Sequence, residues 1–298
     1  MATLHDAPPA TAGPPRHVPA GAERTGRGLV RKVLAYIVLV VVAALVLVPF
    51  AWMLSSSLKR DNEVFTIPIE WIPREFRWSN FVEIWERIPL LTYLGNSAFL
   101  STTITLLQLL TGSFAAYGFS KVRFPGRDAL FLAYIATIAV PWQAYMVPQY
   151  IMMQRAELTN TYWSIILLQA FGAFGVFLMR QYYMSIPDEL CEAARIDGLS
   201  EYGIYRRIML PLSKPALASL ALLTFVNTWN DYMGPFIYLT SNELWTVQLG
   251  LRSFIGQYDA EYAMMMTGAA LSILPILAVF LFGQRYFIRG IATSGLKG

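Results

Sequence analysis

The stretch Glu192-Ala193-Ala194-Arg195-Ile196-Asp197-Gly198, taken up again nine residues later by Ile208-Met209-Leu210-Pro211, decides the fold. It is a short, charged, helix-forming segment, broken by a glycine and set between two long apolar runs. Ser185 is placed to cap its first half, Pro187 suits a first turn, and Asp188 and Glu189 complement the positive end of a helix. Leu190, Ala193 and Ala194 share one face at the i, i+3, i+4 spacing, where two methyl side chains let another surface come close to the backbone. Gly198 stands where a left-handed cap stops the helix, with Leu199 folding back on the Ala194 turn. Ser200 starts a second short helix, which carries Arg206 and Arg207 near its end and closes before Pro211. Taken alone, these features describe two short helices at a bend on one side of a membrane. A plain connector between spans satisfies them as well as a docking element does.

The composition around this segment is not that of a soluble globule. Hydrophobic residues make up 56% of the chain and charged residues 14%, against about a quarter charged in an ordinary domain. Apolar runs at 33–54, 94–119, 129–153, 161–179, 214–238 and 264–288 approach or exceed the roughly 20 residues that cross ~30 Å of hydrocarbon. The expectation is an all-α polytopic membrane protein: a disordered cytoplasmic tail over 1–32, then one six-span domain over 33–298 set in membrane lipid. Pro141 and Pro148 are expected to kink span three, and Gly172 and Gly175 to permit close packing of span four. Trp71, Trp78 and Trp85, spaced among prolines in 58–93, suit a segment lying at the outer interface. This topology puts 16 of the 23 lysines and arginines on the inner side, with both termini cytoplasmic. The single cysteine, Cys191, excludes an internal disulfide. The net charge of +4 is spread along the chain and belongs to inner loops, not to a nucleic-acid surface.

The pattern Glu192-Ala193-Ala194, Gly198, Ile208, Leu210 and Pro211 resembles the signature of binding-protein-dependent ABC importers, whose membrane subunits carry it at this spacing in a cytoplasmic loop. In that family the loop, here 185–211, is the coupling helix that docks in a groove of the ATPase subunit. The resemblance therefore implies that Glu192, Ala193, Ala194, Asp197, Gly198, Leu199, Ile208, Leu210 and Pro211 form the docking site. Phe124-Pro125-Gly126, Pro141 with Pro148, Ile186-Pro187, Thr228-Trp229-Asn230 and the closing Lys297-Gly298 are similar to the carbohydrate-uptake branch, and to its MalG-type subunit most of all. The likeness implies a type I ABC importer permease fold moving a sugar or oligosaccharide by alternating access. The implied partners are a second, unlike permease subunit, a cytoplasmic ATPase dimer that holds the ATP, and an extracytoplasmic solute-binding protein. The implied place is the bacterial cytoplasmic (inner) membrane. A polyol or glycerol phosphate as cargo fits the same architecture.

The residues offer no catalytic constellation. His5 and His17 both lie in the tail, and no Gly-x-x-x-x-Gly-Lys phosphate loop is present, so ATP hydrolysis is expected on a separate subunit and no cofactor on this chain. Asp231 is the one acid inside an apolar span, and an ionisable residue there is by default functional. Two readings stay open for it. It faces a solute path with Asn227, Trp229, Asn230 and Tyr232, or it pairs across helices near the outer end of span five. A secondary transporter using Asp231 as an ion site is the rival function. The run Met264-Met265-Met266 reads as soft packing and not as a metal site.

Overall fold

The computed structural model describes residues 25–256 and 260–294. The expected tail lies outside the described residues as far as residue 24, and the closing Lys297-Gly298 lies outside them too. The described chain is helical, and its one strand-like contact is an isolated bridge between Ile255 and Ala260. It divides into two units, Met1–Ala51 and Trp52–Gly298. Helix α1 (Thr25–Ser57) begins in the first and ends in the second; its Arg31–Ser57 portion is long and apolar enough to cross a membrane.

In the second unit the chain leaves α1 through α2 (Asp61–Val64) and reaches α3 (Asn80–Arg87). The Asn80 side chain donates to the carbonyls of Ser57 and Lys59, both at 2.9 Å, closing this strap. The strap keeps Trp71, Trp78 and Trp85 exposed. Next comes α4 (Leu90–Lys121), 32 residues and about 48 Å long, against which most of the unit is packed. Helices α5 (Arg127–Ala136) and α6 (Met146–Arg155) follow, then α7 (Tyr162–Gln169) and α8 (Ala173–Met184). Gly112 of α4 meets the backbone of α8 so closely that a Cβ there would stand 3.5 Å from the Gly175 carbonyl carbon. Small residues at this crossing let the two backbones approach closely.

After α8 come α9 (Glu189–Ile196), α10 (Glu201–Ile204), a π-helical turn over Tyr205–Met209 and α11 (Leu210–Leu212). The chain then bends by 78° into α12 (Lys214–Trp229). Helix α13 (Met233–Tyr238), α14 (Val247–Leu251) and α15 (Tyr262–Ser294) complete the order. Met264 is buried beside Trp229 and Val247, and no group of three or more His, Cys, Asp or Glu among the described residues is placed to hold a metal.

Span three is broken where the sequence suggests a kink. Pro141 has no N–H to give and forces Val140 out of the helical region, to φ −84° and ψ 114°. Two 3₁₀ turns, Thr137–Ala139 and Trp142–Ala144, replace the middle of the helix. Each remaining piece has ten residues and reaches about 15 Å, half a bilayer core. As a result four helices among the described residues qualify as spans, or five if the bent pair Glu201–Leu212 and Lys214–Trp229 counts as one.

Candidate functional site

The segment 185–211 folds as an exposed helical elbow fastened to the end of α4. Ser185 closes α8 instead of opening the next helix: its hydroxyl donates to the Tyr182 carbonyl at 2.7 Å. Helix α9 starts after Asp188 with Glu189 and Glu192 in its first turn, where the helix dipole favours acids. It ends in a Schellman cap. Gly198 takes φ +82°, its N–H reaches the Arg195 carbonyl and the Leu199 N–H reaches Ala194, both at 3.0 Å. Ser200 then caps α10 by accepting the Gly203 N–H at 3.2 Å. The second helix does not close before Pro211. The π turn absorbs the missing donor, and Pro211 falls in the first turn of α11, where none is needed.

Three residues of α4, each four apart on one face, hold this elbow. Ser113 shares a 2.8 Å hydrogen bond with the Tyr205 hydroxyl, and the Tyr117 hydroxyl donates to Glu201 at 2.5 Å. Lys121 donates to the Ile186 carbonyl at 2.6 Å and to Asp188. Arg195 returns to the Lys121 carbonyl at 3.3 Å and pairs with Glu201 at 2.7 Å. These bonds hold the Asp188 and Glu201 carboxyls below the usual carboxylate range, through Lys121 and Arg195 respectively. Burial pushes the Cys191 thiol up.

The second feature lies further along α4, where span four is interrupted at residues 170–172. The break frees carbonyls, and α4 supplies them with donors: Gln108 Nε2 reaches the Gln169 carbonyl at 2.7 Å and Thr111 Oγ1 the Ala170 carbonyl at 2.8 Å. Thr224 of α12 donates to Gln108 Oε1 at 3.1 Å. The Gln169 side chain in turn donates to Asp231 Oδ2 at 2.8 Å, while Asp231 Oδ1 accepts the Gly234 N–H at 3.1 Å. The Gln169–Asp231 pair is common to two cavities. One, about 330 Å³, is lined by Trp142, Tyr145, Gln149 and Tyr238 among others. The other, about 430 Å³, is lined by Gln108, Phe174, Thr224, Asn227 and Thr228 among others.

The model of the family described as "Binding-protein-dependent transport system inner membrane component" matches residues 108–293. The arabinooligosaccharides transport system permease protein AraQ of Halalkalibacterium halodurans is 35% identical over 260 residues, covering 86% of this chain and 93% of its own. This chain belongs to that family. The sn-glycerol-3-phosphate transport system permease protein UgpE of Pectobacterium atrosepticum is also similar, 32% identical over 276 residues and covering 90% and 98% of the two chains. A solved bacterial ABC transporter involved in the import of the acidic polysaccharide alginate matches with a TM-score of 0.75 at 24% identity, over 90% of this chain and 99% of that one. The likeness shows the fold, that of a type I ABC importer permease. A transporter permease is a membrane component and not an enzyme.

The permease places its sequence-predicted residues unevenly. Glu192, Ala193, Asp197, Gly198 and Pro211 are exposed on the elbow, and Leu199, Ile208 and Leu210 are half-buried. Ala194 is not on the open face with Ala193. One residue on, and about 100° round the helix, it is buried with Cys191, Tyr205 and Met209. In the membrane part, Asn227 and Asp231 both reach the larger cavity. Trp229 does not: it lies about 200° round α12 from Asn227, 1% exposed and stacked on Phe225 at 5.7 Å. Asn230 is exposed and accepts from Gln248 at 3.3 Å. Tyr232 stacks on Phe236 and lines another surface, with Trp245 and Arg252. Beyond these, the lining includes the aromatics Trp142 and Tyr145 beside the Pro141 break and the amides of Gln108, Gln149 and Gln169. A glutamine inside an apolar run is a readable signal, because an amide in hydrocarbon needs a partner across helices.

Proposed function

We propose that this chain is one of two unlike permease subunits of a sugar or oligosaccharide importer in the bacterial inner membrane. ATP is bound and hydrolysed by a separate cytoplasmic ATPase dimer, and an extracytoplasmic binding protein delivers the solute. The observation that carries the reading is the capped elbow of 185–211, which exposes Glu192, Ala193 and Asp197 while being clamped to α4. An ATPase groove closing on α9 moves α4, and α4 holds the broken part of span four that borders both cavities. In this reading six segments cross the membrane, counting the broken 129–153 and the α12–α13 stretch, and both termini are cytoplasmic. The sugar class is supported by the names of relatives such as AraQ.

The test is uptake by the full complex in vesicles without an ion gradient, supplied with ATP and binding protein. ATP-dependent uptake is the expected result. Uptake that ignores ATP and tracks an imposed proton gradient establishes the ion-coupled rival.

A further inference from the structure

We infer that Asp231 sets the charge selectivity of the solute path, which admits neutral, hydroxyl-rich solutes and turns back phosphate esters and uronates. The inference rests on the transport reading above and adds the substrate's charge class to it.

Both oxygens of Asp231 accept hydrogen bonds from N–H donors, Gln169 Nε2 and the Gly234 amide. N–H donors at both oxygens are the arrangement that suits a carboxylate, whose oxygens only accept. Both partners are neutral, so the negative charge is held in place and not cancelled. Among the described residues Asp231 makes no ion pair, and no lysine, arginine or histidine lines either cavity. The two cavities therefore share one formal charge on their common wall. An anion within about 7 Å of it is repelled and a cation attracted, enough even at a dielectric close to that of water for about tenfold between the two.

The rest of the lining suits a neutral ring with hydroxyls. Trp142 is fixed by its indole N–H to Gln149 at 2.8 Å, and with Tyr145 it offers apolar faces. Asn227, Gln149 and Gln108 offer amides. Sequence similarity alone leaves the charge class open, since the relatives' names include both an arabinooligosaccharide and sn-glycerol 3-phosphate. The unpaired carboxylate decides between them, because a site rejects the wrong ligand by placing like charge against it.

The test reads the electrostatics directly, in the chain assembled with its native partner subunits. In a Cys191→Ala background, a cysteine is placed by Asn227→Cys in one variant and by Tyr145→Cys in another. Reaction rates with a cationic trimethylammonium-ethyl and an anionic sulfonatoethyl thiosulfonate are compared with those of a free thiol. The expected result is a cation preference of about tenfold that shrinks in high salt, survives Asp231→Glu and is lost in Asp231→Asn. Equal rates, an anion preference, a preference that survives Asp231→Asn, or no reaction at either position overturns the inference. Solute uptake by the parent complex is measured alongside. Failure of uptake with the preference intact sinks the importer reading, whereas uptake without any preference sinks the charge assignment.

Discussion

Lys121 donates to Asp188 at 2.5 Å, so the last residue of α4 grips the residue that opens α9. The same helix carries Gln108 thirteen residues, or about 20 Å, further along, at the break in span four. One rigid rod thus touches both the exposed elbow and the cavity wall. The Lys121 side chain is 3% exposed and that of Asp188 is 70% exposed, and that asymmetry governs what each substitution does.

Removing the acid strands a buried ammonium with only the Ile186 carbonyl, whereas removing the base leaves a carboxylate that water can serve. We expect Asp188→Ala to cost about 2–3 kcal/mol of stability and Lys121→Met nearer 1 kcal/mol. Thermal unfolding of the purified chain in detergent measures both. The opposite order would show that Lys121 is not held as a buried charge.

Asp188 also gives the stability a pH dependence of definite sign. Its carboxyl is held below its ordinary value, mainly by the Lys121 hydrogen bond. Its contribution is then fully present above about pH 4, the unfolded value, and fades as pH falls through the lower folded value. Asp188→Asn should therefore flatten part of the acid limb of the stability curve and leave the slope above about pH 5 unchanged. A loss of slope confined to higher pH would contradict the assignment.

Cys191 is 1% exposed, with its sulfur 3.8 Å from that of Met209, and burial raises its pKa. A membrane-impermeant maleimide should leave it unlabelled from either side of the membrane. Ala193→Cys, made in a Cys191→Ala background, should label in inside-out vesicles, and bound ATPase should slow that labelling. Labelling of Ala193→Cys from outside would reverse the proposed topology, and labelling unchanged by ATPase would remove α9 from the docking surface.

The elbow is legible in the sequence because its signals are local. Gly198 at φ +82° and the Ser200 cap are properties of short stretches whose neighbours in sequence are their neighbours in space. Which side of α9 is open is not legible in the same way. Ala193 and Ala194 are identical residues, and only the packing of α9 into the cluster that includes Tyr117, Tyr205 and Met209 buries one of them. Likewise a tryptophan suits sugars, which points Trp229 at a solute path, yet the packing of α12 turns it into the core. The chain of bonds from Thr224 through Gln108 and Gln169 to Asp231 joins residues up to 123 positions apart, a separation no periodicity reports. Pro141 is plain in the sequence of span three, but a proline alone does not say whether a helix bends or stops.

Gly172 gives the sharpest test of that long-range chain. A Cβ at this position would stand 2.8 Å from Gln108 Oε1 and 3.1 Å from its Nε2. The amide cannot swing aside freely, because those two atoms serve the Thr224 hydroxyl and the Gln169 carbonyl. Gly172→Ala should therefore cost about 1–3 kcal/mol, the loss of those two bonds rather than of any backbone strain. Gln108→Ala removes the same bonds directly and should cost a similar amount. Since the bonds can be lost only once, the double variant should be less destabilised than the sum by about 1 kcal/mol or more, a coupling readable from unfolding of the four proteins. Strict additivity would mean that Gly172 does not press on Gln108, and the link from α4 through the break to Asp231 would lose its support.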